Sequence, residues 1–366
     1  MTEDRFDAIV AGVGGMGSAT TFHLARRGWR VLGLERFDVI HPFGSSHGLT
    51  RIIRLAYSEH PSYVPLLRRA YELWHELEDL DGRKLLFTTG NLEGGLPDGD
   101  VFQGALKAAA LHHIPHEVVS GTEVTKRWPA YRVPPEFQVL FQADGGFLAS
   151  EDCILAHVRQ ALARRAEIHW REPVVDWKPL EDGVEVRTSR GRYEAKRLIV
   201  CGGSWAEKLV PALASVAVPE RQVLAWLQPT RPELFRLGSF PVFYFQVEEG
   251  RYYGLPEWGI PGFKFGRSGD HLSPFAERLL PTRPVNGSPL RNVPIPFIVQ
   301  PPKAVSRTLF WKRTGMGYVI VGTRLCLASK EEGPQSRAGF RKSSTVFGSW
   351  RVSPPAMVDF VSMDLE

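Results

Sequence analysis

Three stretches of the 366-residue sequence combine residue types and spacing that could do chemistry. The first is Gly12-Val13-Gly14-Gly15-Met16-Gly17, a GxGxxG turn with Glu35 following 18 positions after its last glycine. Glycines at these positions let a backbone approach a pyrophosphate, and a helix start beyond them favours its negative charge. A carboxylate at the end of the next strand accepts hydrogen bonds from ribose hydroxyls and repels a ribose phosphate, which disfavours NADP. The unit reads as a dinucleotide site and by itself leaves FAD and NAD open. The second stretch, residues 44–54 (GSSHGLTRIIR), sets Arg51 and Arg54 three apart. Their planar forks suit a phosphate or a carboxylate, and Ser45, Ser46 and Gly48 let a backbone pass close to a ring. The competing interpretation is a solvated basic loop. The third is Phe263-Lys264-Phe265, where strand alternation puts both phenylalanines on one face and Lys264 on the other. An inward lysine would stabilise a developing anion in a low-dielectric site, whereas an outward one would only mark the solvent face.

Other candidates fall away. His112 and His116 are four apart, but Pro115 breaks the helix that would align them and no Cys or carboxylate completes a set, so no metal is expected. CxxC is absent, and Ser204 lacks recognisable His and acidic partners, which leaves hydrolase chemistry unsupported.

The elements that must position these residues follow from hydrophobic period. Residues 6–11 (FDAIVA) are a short run of β formers that leads straight into the glycine turn. Residues 18–27 place Ala19, Phe22 and Ala25 at helical spacing with Gly28 as a stop, and residues 29–34 read as a second strand. The whole is a βαβ unit of about 30 residues. Residues 62–80 repeat Val64, Leu67, Ala70, Tyr71, Trp74 and Leu77 as one helix face, and further helices are predicted over 102–111 and 153–166. Strands are predicted over 167–172, 184–188, 192–194 and 197–201, the last running into Gly202-Gly203-Ser204-Trp205, a second glycine turn opening a helix. Strand-like runs at 242–247, 252–255 and 263–266 suit a β-rich second domain. Eight prolines in residues 271–302 deny a regular helix or central strand there.

Composition bounds the rest. Hydrophobic residues are 43% and charged residues 23%, the balance of a globular protein, and the length suits two domains. Net charge is +5, yet 14 of the 45 Lys and Arg and only 7 of the 40 Asp and Glu fall in residues 267–366. The first 266 residues are therefore near neutral and the basic excess is scattered, so no nucleic-acid partner is expected. No run approaches the roughly 20 apolar residues of a membrane span, and the acidic opening MTEDR is not a signal peptide. Cys153, Cys201 and Cys326 are odd in number and widely spaced, as in a reduced compartment, so a cytoplasmic protein is expected.

Together FDAIVAGVGGMGSAT, GSSHGLTRIIRLAY, KRWPAYRVPPEF, GGFLASEDC, LIVCGGSWAEKL, ERQV and YYGLPEWGIPGFKFG resemble the monomeric sarcosine oxidase and N-methyltryptophan oxidase family of FAD-dependent amine oxidases, over about residues 6–267. The resemblance implies an α/β protein with a Rossmann-like FAD-binding domain and a β-rich (α+β) substrate domain. It implies FAD with Gly12, Gly14 and Gly17 on the pyrophosphate, Glu35 on the adenosine ribose, and Val174, Gly202 and Gly203 lining the nucleotide. Met16, Arg36, Ser45, His47, Thr50 and Trp205 are cofactor contacts on the same basis. Arg51 matches the arginine beside the flavin ring, Tyr253 the tyrosine over it, and Lys264 the lysine credited with oxygen activation, which favours the inward orientation. Arg54 matches the arginine on the substrate carboxylate, and Arg341 stands where a second substrate-binding lysine belongs. The implied activity is oxidation of N-methyl or secondary amino acids by O2, giving an imine and peroxide, in a monomer without further partners.

After Arg267 the resemblance degrades. Ser268 stands where the family has a histidine, and residues 292–314 lack the cysteine segment that attaches flavin covalently. Residues 336–344 look like a damaged SGHGFKFSS block, residues 318–322 like a late strand, and residues 358–364 like the family's final strand, as a lost or scrambled segment would leave. FAD is accordingly expected to be noncovalent. The expected division is a discontinuous FAD-binding domain of residues 1–90, 145–215 and about 315–366, with a substrate domain of 91–144 and 216–314. Two alternatives stay open: a catalytically impaired relative that keeps the fold as a binding module, and an NAD-dependent dehydrogenase.

Overall fold

The computed structural model describes residues 5–213, 219, 222 and 224–268, together with the backbone of residues 312–314 and 317–321. These residues form two units. The first comprises the described residues of 1–51, 69–87 and 148–220, and the second those of 52–68, 88–147 and from 222 onward.

The first unit is built on β1 (Phe6–Ala11), α1 (Gly15–Arg26) and β2 (Val31–Leu34). β1 lies between two parallel neighbours, β2 on one side and the strand Arg192–Val200 on the other. That central place explains its unbroken apolar composition, since both faces of a parallel sheet are covered. β2 continues to Glu167–His169, also parallel, while Gly183–Thr188 and Val174–Leu180 extend the opposite edge as an antiparallel meander. The predicted strands 192–194 and 197–201 are one strand, because Ala195 between them is buried against Phe6 and Val184 and carries the pairing through. α1 starts at Gly15, three residues earlier than the apolar period suggests, and ends where Gly28 closes it at φ +81° with its N–H on the Ala25 carbonyl.

The second unit holds a nine-stranded sheet in the order 312–314, 317–321, 224–228, 263–268, 250–255, 242–247, 91–95, 138–142, 117–120. All its neighbours are antiparallel except Val242–Val247 with Asn91–Gly95. One face is the hydrophobic core: Ala225, Leu227, Phe263, Phe265, Phe243, Phe245, Leu92 and Val139 pack there against Tyr131, Phe235 and Phe240. Residues one position along each strand point to the other face.

The boundaries differ from expectation at several places, and residues 88–90 and 145–147, expected in the first unit, lie in the second. Residues 52–68 lie in the second unit although 1–90 were expected in the first. The backbone of Gly317–Val321, expected from about 315 onward to return to the nucleotide domain, pairs with Leu224–Gln228 in the second unit's sheet. The proline-rich residues 271–302, Cys326, and residues 336–344 with Arg341 lie outside the described residues.

Candidate active site

In the first unit the expected cofactor residues gather at the carboxyl ends of three parallel strands, where open α/β sheets bind ligands. Gly12 follows β1 at φ +99°, and its N–H donates to the Leu34 carbonyl at 2.8 Å. A Cβ at Gly12 would meet the Cys201 carbonyl oxygen at 2.4 Å, and one at Gly17 would meet the Gly12 oxygen at 1.8 Å, so only glycine lets α1 seat this close to the turn. Gly14 caps α1 without any side-chain acceptor, no acidic residue sits in the first turn, and Met16 is 78% exposed. The helix start is thus open to an anion on its Met16 side, with Ser46 Oγ accepting from Gly15 N at 3.1 Å.

Glu35, at the end of β2, is buried. Its Oε2 accepts from Val13 N at 2.8 Å and its Oε1 from Phe37 N at 3.0 Å, which holds the carboxylate beside the glycine turn while leaving lone pairs for further donors. His41 lies 3.7 Å from it, and burial pushes that imidazole below its usual range although Glu35 works the other way. Glu172 N donates to the Glu35 carbonyl, and Val174 opens the next strand opposite Thr188. Gly202 and Gly203 follow Arg192–Val200, with Gly203 at φ +51°, and lead into Trp205, whose ring meets Phe37 at 5.3 Å and the Arg36 guanidinium at 6.0 Å. A tight glycine cradle, a helix start with no acidic residue in its first turn and a buried carboxylate at the second strand's end fit an ADP-containing dinucleotide.

The loop before Thr50 is organised by its own polar groups. Arg51 donates from Nη1 to the Thr50 carbonyl at 2.7 Å and from Nη2 to the carbonyls of His47, at 2.8 Å, and Ser45. Glu151 Oε1 collects His47 Nδ1 and Gly48 N at 3.1 Å and Leu49 N at 3.3 Å. Burial works to raise the Glu151 carboxyl, and the His47, Gly48 and Leu49 donors outweigh it, so it ionises below its usual range. Glu151 has a sequence signal in GGFLASEDC but was not singled out. Thr50 is buried and begins the strand Thr50–Ile53, so the segment is not a solvated loop.

In the second unit the pleat gathers the rest. Register pairs Trp226 with Lys264, Lys264 with Leu255, Tyr253 with both Gly266 and Tyr244, Tyr244 with Glu93, and Asn91 with Gln142. All of these share the face opposite the hydrophobic core. Lys264 is 3% exposed, so it is the inward lysine and not a solvent marker. Gly266 lets the Tyr253 ring lie on the sheet, since a Cβ there would meet that ring at 2.5 Å. Tyr244 Oη donates to Ser268 Oγ at 3.4 Å, which puts Ser268 on the same face.

Arg54 is buried, and its Nε lies 2.7 Å from Oε2 of the fully buried Glu93. Its Nη2 is 3.5 Å from Glu59, and its guanidinium stands 4.6 Å from the Tyr57 ring and 5.1 Å from the Tyr244 ring. Burial opposes the Arg54 charge, but Glu93 and Glu59 prevail and raise its pKa further; burial also raises the Glu93 carboxyl, against the pull of Arg54. Sequence reasoning missed Glu93, Asn91 and Gln142. The alternation of Asn91, Leu92 and Glu93 fits a strand with one polar face, but nothing local ties Glu93 to Arg54 or marks Gln142. Among the described residues no group of His, Cys, Asp and Glu could hold a metal ion. No helix among them is long and apolar enough to cross a membrane.

The chain as a whole is similar to known proteins. A family model described as FAD dependent oxidoreductase (DAO) matches residues 7–332. Monomeric sarcosine oxidase of Streptomyces avermitilis is 40% identical over 253 residues, 69% of this chain and 66% of its own. N-methyl-L-tryptophan oxidase of Escherichia coli is 33% identical over 283 residues, 75% of each chain. Among solved structures, the open form of NikD, an unusual amino acid oxidase essential for nikkomycin biosynthesis, superposes with a TM-score of 0.62 at 25% identity, over 72% of this chain and 70% of its own. The chain thus spans about two thirds of the length of the sarcosine oxidase it matches. A nicotinamide-dependent dehydrogenase is excluded by this kinship: the chain belongs to the DAO family of FAD-dependent oxidoreductases.

Proposed function

We propose that the protein is an FAD-dependent oxidase of N-methyl or other secondary amino acids, using O2 as electron acceptor and working as a cytoplasmic monomer. The observation that carries this reading is the buried Lys264 on one sheet face with Tyr253, Tyr244 and Trp226, in a member of a flavin-dependent family. Kinship with sarcosine and N-methyltryptophan oxidases supplies the substrate class.

When bound, FAD supplies the acceptor for a hydride equivalent from the carbon beside the substrate nitrogen and the route for those electrons to O2. The chain's residues do the rest. Backbone at Gly12, Gly14, Met16 and Gly17 takes the pyrophosphate, and Glu35 takes the ribose, with Arg36, Val174, Gly202, Gly203 and Trp205 around the nucleotide. Ser45, His47, Thr50 and Arg51 form the polar loop assigned to the ring system. Tyr253 gives an aromatic wall, Arg54 orients the substrate, with Arg341 as its second cation, and Lys264 offers a positive charge where negative charge develops on O2. The FAD is held noncovalently, because the segment for covalent attachment is not recognisable after residue 267.

The same missing segment favours a second reading, an impaired relative that binds FAD without turnover. Peroxide release with sarcosine as substrate separates the two. Peroxide in proportion to O2 consumed supports the oxidase, and none with any N-methyl amino acid in an FAD-loaded protein refutes it.

A further inference from the structure

The charge on Arg54 is already answered inside the fold. Glu93 reaches it on the Nε side at 2.7 Å from a strand position with no exposed surface, and Glu59 stands 3.5 Å from Nη2 at the more open side. The Tyr57 and Tyr244 rings stand against the guanidinium at 4.6 and 5.1 Å. Asn91 Nδ2 donates to Glu93 Oε2 at 3.3 Å, and Ser58 also acts on the carboxyl in favour of its charged form. Among the described residues one cation, Arg54, therefore faces two carboxylates, and a third carboxylate brought by a substrate would meet an arginine whose field these two already offset in part.

We infer that Glu93 sets substrate class by acting through Arg54: as its built-in counter-ion it weakens capture of a free carboxylate, so the amide of an N-methyl amino acid is accepted on nearly equal terms with the acid. This rests on the proposed function for the identity of the reacting amine. It does not rest on it for the charge balance at Arg54. Glu93 is not a catalytic residue in this account; it meets Arg54, Asn91 and Ser58 and tunes what Arg54 can hold. Loss of the Glu93 charge leaves Arg54 with Glu59 alone among its described carboxylate partners, and a ligand carboxylate can take the vacated place.

The test compares wild type, Glu93→Gln and Glu93→Asp as FAD-loaded proteins. Acetate is titrated calorimetrically as a bare carboxylate probe, and N-methylglycine and its amide are compared as substrates. Wild type should bind acetate weakly and discriminate acid from amide by less than about threefold in kcat/KM. Glu93→Gln should bind acetate about tenfold tighter and shift preference about tenfold toward the acid, mostly through KM, while Glu93→Asp keeps the charge and the wild-type pattern. Unchanged or weaker acetate binding in a folded Glu93→Gln protein overturns the inference. So does a Glu93→Asp protein that behaves like Glu93→Gln, since shape and not charge would then matter. If no N-methyl amine is oxidised, the proposed function fails while the acetate affinities still decide the role of Glu93.

Discussion

Gly17→Ala adds one methyl group where the fold has no room for it. Its Cβ would lie 1.8 Å from the Gly12 carbonyl oxygen, 2.8 Å from the Gly12 carbonyl carbon and 3.2 Å from Cys201 Cβ. The first two are backbone atoms, and Gly12 is itself tied to β2 by its 2.8 Å bond to Leu34, so no side chain can swing aside. Relief requires the first turn of α1 to retreat from the glycine turn by roughly 1 Å or more, against close packing. Overpacking of this kind costs about 3 kcal/mol or more, which lowers Tm by roughly 6–12 °C for a domain of this size. The same retreat opens the cradle assigned to the pyrophosphate, so the variant should purify without FAD. Gly191→Ala is the control: its Cβ has nothing within 4 Å, and the change should stay within about 0.5 kcal/mol. Thermal unfolding by circular dichroism, with the flavin absorbance ratio of each preparation, reads both effects. A Gly17→Ala protein as yellow as wild type, with Tm within about 2 °C of it, would refute the steric argument and the site built on it.

Lys264→Met should slow reoxidation of the enzyme by O2 by roughly a thousandfold, as expected when a charge about 4 Å from a developing anion in a medium of effective dielectric near 20 is lost, while anaerobic reduction by substrate changes far less. Stopped-flow traces of the two half-reactions decide, and equal slowing of both would remove the assigned role. Glu35→Ala strips Val13 N and Phe37 N of their acceptor and should weaken FAD binding by roughly 10- to 100-fold, read by equilibrium dialysis against free FAD. His157 packs against Phe22, His23 and Trp74, and burial pushes its pKa from 6.5 to about 4. A histidine with a lowered folded pKa keeps the unfolded chain the better proton binder, so its stabilisation is complete above pH 6.5 and is lost as pH falls toward 4. The loss approaches about 3 kcal/mol at its limit, and His157→Phe should flatten urea-unfolding free energies across that window.

The nucleotide half of the fold was legible because its physics is local. A strand, a glycine turn, a helix and an acidic strand end lie within one stretch of chain, and β1 came out of the sequence at its observed bounds, Phe6–Ala11. The sheet of the second unit was legible only in part. Val242–Val247 and the Lys264 strand stood out by their aromatic alternation, but Asn91–Gly95, Gln138–Gln142 and Leu224–Gln228 were not read as strands. Asn91–Gly95 carries glycines and a charge that lower its β propensity, and long-range pairing with Val242–Val247 overrides that local preference. For the same reason the partner of Arg54 was invisible: Glu93 lies 39 positions away in sequence, and only the arrangement of residues 52–68 against the sheet brings the two charges together. The inward direction of Lys264 had a similar status, since alternation fixes which residues share a face but not which face is buried.

The most direct test of the account is an absorbance spectrum of the purified protein, taken before and after acid precipitation and again after anaerobic addition of sarcosine. The account predicts a flavin band near about 450 nm that bleaches with sarcosine and leaves with the supernatant on precipitation. A colourless protein that takes up no FAD, or a flavin band that no N-methyl amino acid bleaches, would contradict it.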